Sequence, residues 1–175
     1  MKSLQLVFSF IVLIIVLASN QALAITQPGN ATVTFLAPLT MTLVTSPSFG
    51  KLPAGLSNAT TYEINTSNTL TTTGTGAELL SGSTTVGEVS IFGSNYQAIT
   101  IIAQNPVASG GVTITGMLCR YGSDTEANCF NTTINGSTAP GPSGTALLLG
   151  PTISVPSLQA VGAVTPSFSV VIAYQ

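Results

Sequence analysis

The sequence predicts an all-β protein, an antiparallel β-sandwich of immunoglobulin-like type with a jelly roll as the alternative. Three observations predict it. The apolar residues come in short bursts without helical spacing, so no long helix is expected. Clusters of Gly, Asn, Ser and Pro separate the bursts roughly every ten residues, the interval at which a sandwich turns its chain. The final stretch alternates: Val164, Phe168, Val170, Ile172 and Tyr174 all fall on even positions, with Ser167, Ser169 and Gln175 on odd ones. Successive strand side chains point to opposite faces, so that apolar row requires a core to cover it.

The elements follow in order. Lys2 precedes an uncharged apolar run over residues 4–17 and the small-residue site Ala22-Leu23-Ala24, the three parts of a cleavable signal peptide over residues 1–24. The run is short for a membrane span and nothing like it recurs, so the chain is not expected to be an integral membrane protein. The expectation is export to the periplasm, cell surface or medium, with residues 25–175 forming one domain around one core. Ala31, Val33 and Phe35 alternate with Thr32 and Thr34 as a first short strand. A second covers residues 39–44 and stops at Ser46-Pro47, since proline cannot donate to a ladder. Residues 48–52 form a third, closed by the turn Pro53-Ala54-Gly55. Further apolar or β-branched runs between turn residues place strands at 60–65, 88–92, 97–103, 112–119, 130–134, 146–155 and 167–174.

Composition narrows function. Only 5% of residues are charged, and Lys2, Lys51 and Arg120 are the three cations. A phosphate-binding surface needs concentrated Lys and Arg, so nucleic acid and anionic membrane surfaces are not expected partners. The chain has no histidine, which removes the usual general base of Ser and Cys hydrolases. Glu63, Glu78 and Glu88 could serve as paired glycosidase carboxylates, but acids on strands are ordinarily solubilising charges. Asp124 and Glu126 fall short of a calcium loop and read as solvated loop charge. No catalytic, metal or cofactor site is expected, and the chain is read as non-enzymatic. Sequons at Asn30, Asn58, Asn65, Asn131 and Asn135 matter only in a host that glycosylates.

Cys119 and Cys129 enclose a polar loop, and in an exported chain they are expected to form a disulfide across a hairpin. Two thiols without histidine cannot complete an ordinary zinc shell, and the spacing is far from Cys-x-x-Cys. Tyr96 and Tyr121 lie on expected loops, where an aromatic face could stack on a sugar, but the expected role of both is packing.

Gly162, fourteenth from the end of the sequence, and Tyr174, next to last, bracket the alternating tail in the pattern that fimbrial chaperones grip in pilin subunits. The runs at 31–39, 48–52, 146–155 and 168–175 together resemble the exported bacterial family catalogued as domain of unknown function 4402. That family is similar in turn to spore coat protein U and to subunits of archaic chaperone–usher pili. The resemblance implies an exported immunoglobulin-like sandwich without catalysis. It also implies a tail recognition strand of Gly162, Phe168, Val170, Ile172 and Tyr174, with a periplasmic chaperone and usher, and the protein itself as a polymer, for partners. Archaic pilins carry an early cysteine, whereas both cysteines here lie late. In this reading Ala31, Val33 and Phe35 form a donor strand that adds to a neighbour's sheet. The competing reading is a self-complete secreted or surface sandwich that binds a glycan or protein.

The signal peptide generates the first prediction: protein recovered after export begins at Ile25, because Ala22 and Ala24 offer the small side chains that cleavage needs. N-terminal sequencing tests it, and a retained Met1 on membrane-bound protein would refute it.

Overall fold

Strands of the larger sheet are recruited around one long central strand. The structure, a computed structural model, describes residues 32–74 and 82–175. The expected signal peptide, Ala31 of the expected donor strand and Glu78 lie outside the described residues. In chain order the strands are β1 (Thr40–Thr45), β2 (Thr60–Ile64), β3 (Leu70–Thr73), β4 (Gly87–Phe92) and β5 (Ile99–Val107). They continue with β6 (Thr113–Tyr121), β7 (Ala127–Asn128), β8 (Ile134–Asn135), β9 (Thr145–Val155) and β10 (Ser167–Tyr174). All pair antiparallel, in a seven-stranded sheet and a three-stranded one of order β10-β5-β8. The fold is the all-β antiparallel sandwich that the sequence predicts.

β9 has the length to serve several neighbours. Its first half pairs with β4, from Thr145↔Ile91 to Leu149↔Gly87, and its second half with β2, from Thr152↔Glu63 to Val155↔Thr60. β6 runs along its other edge. The change of neighbour falls at Gly150-Pro151, where proline has no N–H to donate. A side chain at Gly150 would run into the carbonyl of Ile64, so the close approach of β2 requires glycine there.

Alternation then builds the core. Tyr62 and Ile64 of β2, Val89 and Ile91 of β4, Ile99, Ile101 and Ala103 of β5, and Leu147, Leu149, Ile153 and Val155 of β9 are buried every second residue. β6 adds Ile114, Met117, Cys119 and Tyr121 to the same cluster. Cys119 and Cys129 are disulfide-bonded with Cα atoms 5.8 Å apart, and both are fully buried. The bond closes the β6–β7 hairpin, in which Cys119 faces Ala127, and restricting a loop of this size contributes about 2–3 kcal/mol.

Several expectations are corrected. Val33 and Phe35 lie in coil, without a ladder partner among the described residues. Residues 48–52 carry only isolated bridges, such as Ser48↔Thr85, and Phe130 makes one bridge to Ala103 ahead of the two-residue β8. β3, a Leu-Thr-Thr-Thr segment, was not expected from its sequence. Tyr121 is buried, so it cannot offer a ring to a sugar. Asp124 and Glu126 are not free loop charges: Asp124 accepts from the N–H and hydroxyl of Ser137, and Glu126 from the N–H and hydroxyl of Thr66, each at 2.6 Å. They tie the disulfide loop to its two neighbours. Among the described residues, no helix is long and apolar enough to cross a membrane.

The Tyr62 hydroxyl is buried without a hydrogen-bond partner, and burial pushes its phenol above the ordinary value. An unmade buried hydrogen bond costs stability, so Tyr62→Phe is expected to leave unfolding free energy within about 0.5 kcal/mol of the parent or to raise it. Denaturant titration checks this; a loss beyond about 1.5 kcal/mol would mean that the hydroxyl is satisfied.

Candidate functional site: an open seam between two edge strands

Among the described residues, β1 and β10 each have a partner on one side only, β4 and β5 respectively. Residues directly opposite in an antiparallel pair share a face, so Met41 and Leu43 of β1, opposite Ile91 and Val89, point to the inner side of the larger sheet. Ile91 is 0% exposed and Val89 8%, yet Met41 is 42% and Leu43 63% exposed. The core cover thus ends between β4 and β1. Across from them, Phe168, Val170, Ile172 and Tyr174 form the inner row of β10 and pack against the core, but only half-buried. Among the described residues, no strand pairs with the outer edge of β1 or of β10, and the inner apolar residues of both strands stay partly or largely exposed.

Tyr174 holds this arrangement at one end. Its hydroxyl donates to the Ala37 carbonyl and accepts from the Ser94 N–H, both at 2.6 Å. Ala37 lies just before β1 and Ser94 just after β4, so a single phenol joins the last strand to the start of the first. The path is tight: a side chain at Gly93 would come within 2.6 Å of that hydroxyl and 2.9 Å of Leu39. Gln175 extends the clasp, donating from its N–H to Ala98 and from its side chain to Ile99, and accepting from Gln97.

Ahead of Ala37, residues 32–36 run as coil, with Phe35 85% exposed. The free edges carry little protection against pairing: neither β1 nor β10 contains a charged residue or a proline, the usual guards of an edge strand.

Of the residues expected in the tail recognition strand, the structure brings Phe168, Val170, Ile172 and Tyr174 into one row. Gly162 is separate, in the β9–β10 loop with a φ of +153° and open space where a side chain would stand. Val33 and Phe35 are exposed. The sequence reading missed Met41 and Leu43 as seam residues; their alternation within 39–44 was the available signal. Glu63 accepts from the Thr152 hydroxyl at 3.0 Å. Among the described residues, no group of three His, Cys, Asp or Glu side chains could hold a metal ion. No protein-family model, curated protein or solved structure matches this chain.

The clasp makes a prediction that contrasts with Tyr62. Tyr174→Phe keeps the ring and removes two hydrogen bonds, so a stability loss of about 1–2 kcal/mol is expected, with faster exchange at the Ser94 amide. An unchanged unfolding curve would show that the clasp contributes nothing.

Proposed function

We propose that this chain is an exported, non-enzymatic structural protein, a pilin-like or adhesive subunit of a surface fibre that assembles by β-strand exchange. The open seam carries the reading. A strand laid along β10 would gain main-chain hydrogen bonds from its free edge and cover the half-buried row from Phe168 to Tyr174 together with Met41 and Leu43. The residues around Val33 and Phe35 of a second copy fit that role. They are exposed and apolar at every second position, so in strand form one face would enter the seam while Thr32 and Thr34 face outward. A periplasmic chaperone would shield the same strip before exchange, and an usher would deliver the subunit, as the family resemblance implies.

The self-complete domain is the weaker alternative, because a finished sandwich has no reason to leave the inner residues of an edge strand in water. Its glycan-binding form loses Tyr121 to the core and keeps only the exposed Tyr96.

Deletion of residues 25–35 separates the two. The described part of that segment is exposed coil, so the truncated chain is expected to fold and remain monomeric, while the intact protein forms ladders that resist heat and SDS. A peptide of residues 25–35 at a hundredfold excess over its Kd is expected to stabilise the truncated domain by about 2.7 kcal/mol, read as a rise in Tm. An intact protein that stays monomeric at high concentration with its periplasmic partners supplied would end the strand-exchange reading.

A further inference from the structure

We infer that Met41 is an oxidation site inside the seam, and that its conversion to the sulfoxide by a peroxide closes the seam to an added strand. The inference rests on the strand-exchange reading and gives it a chemical control.

Few side chains of this protein can meet an oxidant. The sequence has no tryptophan and no histidine, and its three methionines are Met1, Met41 and Met117. Met1 falls in the expected signal peptide. Cys119 and Cys129 are bonded to each other and fully buried. Met117 is 1% exposed, inside the core cluster. Met41 is 42% exposed, so among the described residues it is the one thioether that solvent reaches.

The position of Met41 gives its oxidation a consequence. It stands on the inner side of β1 opposite Ile91, two residues from Leu43. A methionine in a core fills irregular gaps through its flexibility, but this one sits half in water on an edge strand, where another leucine would complete the same row. What it adds is a polarisable sulfur. The thioether lone pair attacks one oxygen of hydrogen peroxide and the O–O bond breaks. Sulfur is oxidised to the sulfoxide, and the departing hydroxide takes the proton of the transferred oxygen and leaves as water. The S=O oxygen is a hydrogen-bond acceptor where the thioether was nearly apolar. Thr40 and Thr42 point to the opposite face of β1, so their hydroxyls cannot serve it. A strand covering this oxygen would bury it beside Leu43 without a donor, which weakens addition by about tenfold or more. In assembled protein the added strand shields the sulfur, so oxidation acts on free subunits and spares those already joined. Methionine sulfoxide reductases restore the thioether, which makes the control reversible.

Full-length parent and Met41→Leu proteins, treated with hydrogen peroxide as free subunits, test the inference. Peptide mass mapping is expected to place one added oxygen on Met41 of the parent and to leave Met117 unmodified. Ladder formation by the oxidised parent is expected to slow by about tenfold, and a methionine sulfoxide reductase to restore it. Whatever its own rate, Met41→Leu is expected to assemble equally before and after peroxide. Met117 oxidised as readily as Met41, oxidised parent that assembles at the untreated rate, or an equal peroxide loss in Met41→Leu would overturn the control while strand exchange stands. Untreated parent that forms no oligomer with its periplasmic partners supplied would overturn strand exchange and the control with it.

Discussion

Every strand of the larger sheet except the edges takes its place from β9. A strand of eleven residues can pair β4 and β2 in succession on one edge while β6 occupies the other, so three strands share one spine. The cost of that arrangement is local and falls on Gly150 and Pro151, where the neighbour changes. Leu147, Leu149, Ile153 and Val155 reach inward from the same spine, and each buried side chain of this kind contributes about 1.5–3 kcal/mol. The core is therefore densest over β9 and thins toward β1 and β10, which sit farthest from it.

That gradient explains why a functional surface can be a gap. The last strand and the first both offer inward apolar rows, but the strand that would lie between them is missing from the described fold. One phenol holds the two rows together at the Tyr174 end. Along the rest of the strip, hydrogen-bonding capacity and apolar area remain available to an added strand, the two quantities on which strand addition depends. Polarity is low because the chain carries few charges, so little electrostatic repulsion guards the edges against another copy.

The sequence was legible where pattern and burial agree. β10 coincides with the predicted residues 167–174, and β9 with 146–155 to within a residue, because half-buried or buried strands repeat every second position. The Cys119–Cys129 bond was legible because two cysteines in one short loop leave few other uses. β3 was not, since Leu70 followed by three threonines shows no alternation of polarity; its strand form comes from pairing with β2. Around Val33 and Phe35 alternation is present, but among the described residues no ladder partner is. Period alone specifies which residues would share a face, and pairing requires a neighbour. Tyr174 could be read as a row member, but its hydroxyl bond to Ala37 spans 137 positions and has no local signature.

Strand exchange requires the outer edge of β10 to be open in the single subunit and filled in the assembly. Amide hydrogen exchange measured on residues 167–174 tests it most directly. The account predicts that the amides pointing away from β5 exchange quickly in the truncated monomer, while those bonded to β5 are slow. Both sets become slow in assembled protein. Equal protection of both sets in the isolated monomer would contradict the account, since it would mean that the edge is already covered.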